Sequence, residues 1–143
     1  LVGVQARQPG EAAVIVDCGS AITVDALRDD GQHLGGIIIP GPQMMAEAFY
    51  LRTGLPAADA AFTTEVAADN TAGAVAGGVW QAVLGGVERA VLAWQGRLPR
   101  AVLWLTGGDA ALVAGTIAWP GRVQHAPHLV LEGLARILEQ GAE

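Results

Sequence analysis

Three β-rich runs follow one another near the start of the chain, and their close spacing is the strongest constraint on its fold. Residues 14–18 and 21–27 are separated only by a small-residue corner, and residues 33–39 follow a turn signal at residues 29–31. Consecutive strands joined by connections this short form a meander. The sequence therefore predicts three neighbouring strands at the beginning of one sheet.

Helical and β-rich segments alternate beyond the meander. We predict helices at residues 43–52 and 70–94, with a loop that contains helical pieces at residues 53–68. Asp69 or Asn70 is the expected N-cap of the second helix. A buried strand, a helix, a short strand and a closing helix follow at residues 101–106, 109–118, 123–126 and 129–140. The order β-β-β-α-α-β-α-β-α predicts an α/β domain of the ribonuclease-H-like type, a mixed sheet flanked by helices.

The composition indicates one well-buried domain. At 143 residues the chain is long enough for one hydrophobic core, and 52% of its residues are hydrophobic while only 15% are charged. This balance argues against disorder and favours burial together with assembly through an apolar interface. The formal net charge is −6 and no basic cluster is visible, so we expect no binding to nucleic acid.

Several residue types exclude whole classes of chemistry. Cys18 is the single cysteine, which excludes a disulfide framework or a thiolate metal site and favours a buried thiol in a cytoplasmic protein. All eight basic residues are arginines, so the lysines of a Walker A loop and of Schiff-base chemistry are missing. A phosphate would have to be held by backbone N–H groups, hydroxyls and a metal ion. The histidines lack the zinc-protease spacing and are expected to be structural.

The chain is expected neither to cross a membrane nor to be a complete protein. Its most apolar long segment, residues 72–94, is rich in glycine and is interrupted by Gln81, Glu88 and Arg89. No signal peptide is visible. The sequence starts at Leu1 rather than methionine and reaches its first acidic corner soon afterwards, so we expect a fragment of a longer polypeptide.

Asp17 is the residue whose position most needs an explanation. It stands at the end of an apolar run, directly before the small-residue corner at residues 18–20. An aspartate there either forms the turn through its own backbone or directs its carboxylate toward a ligand. The surrounding residues alone leave both interpretations open.

Six blocks of sequence carry a specific resemblance. In order they are DCGSAITVD, GQHLGGIIIPGPQMM, RTGLP, NTAGAVAGG, LTGGDA and PHLVLEGL. Together they resemble the second domain of type III pantothenate kinases, in which threonine is usual at the position of Ser20. The resemblance implies that residues 1–143 form the C-terminal ribonuclease-H-like domain of a two-domain, actin-like kinase. The N-terminal half, which carries the general-base aspartate, would be absent, and the isolated chain is expected to be inactive.

The resemblance also implies roles for the corner and for a later glycine pair. Asp17 would help to bind a monovalent cation, K⁺ or NH₄⁺, and Gly19 and Ser20 would contact the phosphates of ATP. Gly107 and Gly108 would line the adenosine pocket, although the residues alone favour an ordinary strand-to-helix turn.

A second set of residues is implicated in substrate binding. By resemblance, Thr71 would bind pantothenate across a homodimer interface, and Val75 would provide an apolar wall beside it. Helix capping is the alternative for Thr71. Glycines on the same helix lower its stability unless something approaches closely, and a second subunit is our candidate. These glycines are Gly73, Gly77, Gly78, Gly85 and Gly86.

The implied activity is transfer of the γ-phosphate from ATP with Mg²⁺ to pantothenate, the first step of coenzyme A biosynthesis. Two alternatives remain: a noncatalytic dimerisation or nucleotide-binding domain, and a transcriptional activator, a label that members of this family have also carried. The Gly35 and Gly36 pair is expected to shape the cleft, and the role of Asp25 stays open.

Overall fold

The computed structural model describes residues 1–140 and contains one five-stranded sheet. The strands are β1 Ala13–Cys18, β2 Ala21–Leu27, β3 His33–Pro40, β4 Val102–Thr106 and β5 Val123–His125. The helices are α1 Val2–Arg7, α2 Pro42–Thr53, α3 Thr71–Arg97, α4 Ala110–Ala114 and α5 Leu129–Gln140. Across the sheet the strands run in the order β3-β2-β1-β4-β5.

The pairing of the strands confirms the predicted mixed sheet. β1, β2 and β3 form an antiparallel meander, while β4 lies parallel to β1 and β5 lies parallel to β4. Asp17 is aligned with Thr23 on one side and with Thr106 on the other. The central strand β1 therefore carries Asp17 at the end of the sheet where β1 and β4 both finish.

The larger hydrophobic core lies on one side of the sheet, which we call the α3 face. Alternate residues of β1, such as Val14 and Val16, project from this face because side chains alternate along a strand. They pack in one cluster with the buried stripe of α3, which includes Val83, Val87 and Val91. The short helix α4 adds to the same cluster. This face is closed by residues of the chain itself.

The opposite side of the sheet, which we call the α5 face, has a smaller core. Ile15 and Trp104 from the strands pack there with Val4 of α1 and Leu129 of α5. Helices α1 and α5 cross at very short range, because a Cβ added to Gly3 would lie 2.5 Å from the Leu129 carbonyl oxygen. Only glycine permits this crossing without a shift of one helix.

The long loop between α2 and α3 is anchored on α3 rather than extending into solvent. The indole Nε1 of Trp80 donates to the Ala60 carbonyl oxygen at 2.9 Å, and Phe62 packs edge-to-face on the Trp80 ring with centroids 4.9 Å apart. The side-chain amide of Gln81 donates to the Thr64 carbonyl oxygen at 3.2 Å. These contacts hold the loop over the first turns of α3.

The sequence analysis missed one helix, and two of its predictions of secondary structure are wrong. Helix α1 was not predicted, because it is short and its N-cap residue makes no side-chain capping bond. The loop at residues 53–68 was predicted to contain helical pieces, but none lies beyond Thr53, the last residue of α2. The helix predicted at residues 109–118 ends at Ala114, where the Thr116 hydroxyl donates to the Val113 carbonyl oxygen at 2.8 Å.

Among residues 1–140, no helix combines the length and the apolar character needed to cross a membrane.

Candidate functional site

The corner after β1 is built from backbone packed against backbone. The Gly19 N–H donates to the Ala21 carbonyl oxygen at 3.2 Å, which closes the turn into β2. The Gly41 N–H donates to the Ser20 carbonyl oxygen at 3.1 Å, and a Cβ added to Gly41 would lie 2.3 Å from the same oxygen. The start of α2 thus fixes the backbone of Ser20, whose side chain remains exposed.

The glycine pair after β4 packs directly on this corner. Gly107 has a φ of +90°, and a Cβ added there would lie 2.3 Å from the Cys18 carbonyl oxygen. The Asp109 N–H donates to the same oxygen at 3.1 Å. A Cβ added to Gly108 would meet nothing within 4 Å. The structure therefore brings the two predicted ATP-binding loops together as one corner, with open space beside Gly108.

A short polar row ends the α5 face beside this corner. Residues aligned across neighbouring strands project to the same side of a sheet, so Asp17, Thr23 and Thr106 share one face. Thr106 is buried, whereas Asp17 is half-buried. The sequence analysis missed the two threonines, since their approach to Asp17 depends on strand register.

Burial is the main influence on the Asp17 carboxyl group. It raises the pKa of Asp17 above its usual range, and the Asp25 carboxylate acts in the same direction. A buried carboxylate gains stability from any cation placed beside it, because the cation compensates for lost hydration. The corner thus presents a carboxylate that favours a positively charged neighbour.

Asp25, which the sequence left without a role, is fixed by two neighbours on β3. The Nε2 atom of His33 lies 2.9 Å from Asp25 Oδ1. A Cβ added to Gly36 would lie 2.4 Å from the same oxygen, so Gly36 makes room for the carboxylate. Gly36 therefore serves this contact, and its partner Gly35 faces open space with a φ of +104°.

Cys18 points into the core on the α3 face and is not a reactive thiol. Burial, together with the nearby carboxylates of Asp17 and Asp109, raises the pKa of Cys18 to about 12. The thiol is therefore protonated at neutral pH, because the thiolate would be both desolvated and repelled. This agrees with the sequence interpretation of Cys18 as a buried structural residue.

The residues predicted to bind substrate lie in a separate groove. Thr71 and Val75 of α3, together with Met45 and Phe49 of α2, line a cavity of about 480 Å³ that is mostly apolar. No residue of the corner contributes to its lining. The structure places Thr71 beside Val75 but does not bring either of them to Asp17 or Ser20.

Thr71 is not the residue that caps α3. The Asn70 side chain is the N-cap, and its Oδ1 accepts from the Gly73 N–H at 2.8 Å. The prediction of Asn70 as one of two N-cap candidates is thus confirmed. The exposed Thr71 hydroxyl makes no hydrogen bond with any other residue in the described part of the chain, so it is available to a ligand.

Contacts within the chain account for only part of the glycine content of α3. A Cβ added to Gly73 would meet the Ala68 side chain, and one added to Gly77 would meet the Glu65 carbonyl oxygen. At Gly86 an added Cβ would meet the Ile39 side chain. The expectation that a second subunit explains all five glycines is therefore too broad. Gly78 and Gly85 face open space and share one side of the helix with Thr71, since seven residues make nearly two turns.

Within residues 1–140, no three side chains of the His, Cys, Asp and Glu types are grouped so that they could hold a metal ion.

Comparisons with known proteins agree on one family. The family model described as type III pantothenate kinase matches residues 1–93. A type III pantothenate kinase of Nitrosococcus oceani is 36% identical, with 96% of this chain and 53% of the relative covered. Another, from Nitrosomonas eutropha, is 38% identical, with 91% and 51% covered. The chain thus spans about half the length of the curated relatives it matches.

A solved structure supports the fold alone. It comes from Campylobacter jejuni, and its description assigns it to the Baf family of transcriptional activators. The TM-score is 0.60 at 22% sequence identity, with 98% of this chain and 62% of that chain covered.

Proposed function

The chain belongs to the type III pantothenate kinase family, and we propose that it supplies the C-terminal half of an enzyme that phosphorylates pantothenate with ATP. In this proposal residues 1–143 are one ribonuclease-H-like domain, and a second domain precedes it in the polypeptide. The product is 4′-phosphopantothenate, the first intermediate of coenzyme A biosynthesis. The relatives' names and the half-length coverage support this arrangement.

The observation that carries the proposal is the packing of Gly107 on Cys18. It unites two loops that would otherwise be separate into one corner, at which Ser20 and Gly108 are exposed. We propose that the Gly19 and Ser20 side of the corner binds the phosphates of ATP, chiefly through the N–H and the hydroxyl of Ser20. Adenosine would lie against the backbone at Gly107 and Gly108, in the open space beside Gly108.

We assign the monovalent cation to Asp17. The half-buried carboxylate, with Thr23 and Thr106 aligned beside it, offers one negative charge and neutral oxygens. Potassium or ammonium bound there would screen the carboxylate from the phosphates of ATP. Magnesium would enter with ATP and would neutralise the charge that develops on the phosphate oxygens.

We assign pantothenate to the groove between α2 and α3. Its apolar lining at Val75 and Phe49 suits the substrate's methyl groups, and the exposed Thr71 hydroxyl can bind a polar end. Because this groove does not include the corner, a second copy of the enzyme would join the two regions. The open stripe at Gly78 and Gly85 allows such a copy to approach α3 closely.

The chemical step then needs one group that this chain lacks. The primary hydroxyl oxygen of pantothenate attacks the γ-phosphorus of ATP and forms a new P–O bond. The bond between the γ-phosphorus and the β,γ-bridging oxygen breaks, and ADP departs. The hydroxyl proton would pass to a general-base aspartate in the other half of the polypeptide. The residues of this chain position ATP and substrate and stabilise charge, which is where most of the catalysis of phosphoryl transfer arises.

The direct test is to assay a polypeptide that contains both halves for ATP-dependent formation of 4′-phosphopantothenate. We expect activity that requires potassium or ammonium, and none from the isolated chain. Phosphorylation of another small alcohol, with pantothenate untouched, would contradict the substrate assignment. Nucleotide binding without turnover by the two-half polypeptide would instead favour the noncatalytic alternative.

A further inference from the structure

Helix α5 turns a broad apolar surface away from the chain. Five large apolar side chains of this helix are between 50% and 74% exposed. At 3.6 residues per turn they cover an arc of about 120° on one side of the helix. We call this set the α5 arc; it consists of Val130, Leu131, Leu134, Ile137 and Leu138.

The arc is in the wrong place for a helix of a self-contained domain. The apolar side of an amphipathic helix normally faces the core, while polar residues face water. In the part of α5 with described side chains, residues 129–139, only Leu129 and Gly133 are buried. Contiguous exposed apolar surface of this kind marks an interaction site.

The α5 arc has a fixed direction because α5 is tied to α1. The Arg7 guanidinium binds the Glu132 carboxylate through two contacts, with Nε 2.6 Å from Oε2. A Cβ added to Gly3 would lie 2.5 Å from the Leu129 carbonyl oxygen, and a Cβ added to Gly133 would lie 3.1 Å from the Gly3 backbone nitrogen. Two helices this close move as one unit, so the arc is a preformed surface.

We propose that the α5 arc is the docking surface for the other half of the enzyme's polypeptide. This inference rests on the two-half arrangement proposed above, and it assigns a partner to a surface that no part of the reaction uses. The relatives contain about as much chain again as this one, which is enough for a second domain.

Chain connectivity favours that occupant over a second copy. Helix α1 packs beside the arc, and a Cβ at Gly133 would lie 3.8 Å from the Val2 Cβ. A segment that precedes Leu1 therefore emerges next to the arc. Docking of a linked segment occurs at high effective concentration, whereas a second copy must be captured from solution. Counted from Val130, the residues of the arc stand at i, i+1, i+4, i+7 and i+8, which places them on one side of the helix and suits packing against an apolar partner surface.

Thiol labelling tests this proposal, because the native Cys18 is fully buried and does not compete. Leu134→Cys is made in the 143-residue chain and in the polypeptide with both halves, and its reaction with a maleimide is timed. Asp29→Cys, in the exposed turn between β2 and β3, is the matched control. We expect Leu134→Cys to react at least about tenfold more slowly in the longer polypeptide, while Asp29→Cys reacts equally in both.

Three outcomes would overturn the proposal. Equal labelling of Leu134→Cys in both polypeptides would mean that the other half leaves the arc exposed. If Leu134→Cys in the 143-residue chain is protected from labelling, and the protection increases with protein concentration, the arc binds a second copy of the chain. If changing Leu131 and Leu138 to aspartate lowers the thermal stability of both polypeptides equally, the arc serves this chain alone.

The same polypeptide separates this inference from the proposed function. Protection of Leu134→Cys without pantothenate phosphorylation keeps the docking surface and rejects the reaction. Phosphorylation with an unprotected Leu134→Cys keeps the reaction and rejects the docking surface.

Discussion

Helices cover both sides of the sheet, but large apolar side chains of the helix are buried on one side and exposed on the other. On the α3 face, α3 buries eight residues, including Trp80 and Leu84, and exposes one large apolar side chain, Leu92. On the α5 face, α5 buries Leu129 and Gly133 but exposes the five large side chains of the α5 arc. The first face is complete within this chain, and the second is complete only with something added.

In the proposed two-half arrangement, this difference would allow one half to fold on its own while the activity needs both halves. The closed α3 face supplies a core that holds β1 and β4, and hence the corner at Asp17, in place. The open α5 face ends in the polar row beside the same corner. A domain that docks on the α5 face would therefore come to lie close to the proposed ATP and cation sites.

The largest expected effect compares matched leucines on the two faces. Leu103→Ala removes a side chain that is 1% exposed in the α3-face core, and we expect it to lower the free energy of unfolding by about 3 kcal/mol. Leu134→Ala in the α5 arc should change that free energy by no more than about 0.5 kcal/mol in this chain. Urea unfolding measures both, and equal losses would mean that the α5 face is already closed.

A smaller effect is expected at the glycine pair of the corner. Gly107→Ala forces a side chain into a φ of +90° and against the Cys18 carbonyl, and we expect a loss of about 2 kcal/mol. Gly108→Ala meets open space and should leave stability within about 0.5 kcal/mol. In the two-half polypeptide, Gly108→Ala should still raise the KM for ATP. An unchanged KM would remove Gly108 from the adenosine site.

The start of α3 separates a structural residue from its functional neighbour. Asn70→Ala removes the N-cap bond to Gly73 and should cost about 1 kcal/mol of stability. Thr71→Ala removes a hydroxyl that makes no hydrogen bond to another residue within the described range 1–140, so it should leave the melting temperature unchanged while raising the KM for pantothenate. The reverse pattern would make Thr71 the capping residue and would remove it from the substrate groove.

The smallest expected effect on stability concerns the charge at Asp17. Burial raises its pKa in the folded chain, so the folded state holds the proton more tightly than the unfolded state. Stability should therefore fall as pH rises from acidic to neutral, and Asp17→Asn should reduce this dependence in pH-dependent unfolding. In the two-half enzyme the same change should lower potassium activation and reduce the rate by about tenfold. Full potassium-dependent activity with a lower melting temperature would make Asp17 a turn-former.

The sequence predicted the sheet because its signals are local. The short turns at residues 19–20 and 29–31 determine which strands are neighbours, and the fold class and the family resemblance are both confirmed. Helix α1 could not be predicted, since its six residues are held by contacts with α5 across most of the chain. The direction of the α5 arc is likewise invisible in the sequence, because periodicity shows an apolar side but not what it faces.

The candidate site was predictable only in part, for a similar reason. Asp17, Ser20 and the glycine pair could be identified from their blocks, and the structure places them at one corner. The sequence indicates Gly36 only as part of a pair that shapes the cleft. The atoms that require glycine at Gly36 and Gly41 belong to Asp25 and Ser20, and these contacts depend on the strand pairing and on the position of the corner. The separation of the groove at Thr71 from the corner depends on tertiary packing, which a spacing along the chain does not encode.

The most direct test of the account is complementation between the two halves as separate chains. The 143-residue chain and the other half of its polypeptide are purified, and each is assayed alone and in the mixture for ATP-dependent phosphorylation of pantothenate. We predict activity only in the mixture, dependent on potassium or ammonium. Phosphorylation of pantothenate by the 143-residue chain alone, at the rate of the mixture, would contradict the claim that this chain is half of an enzyme.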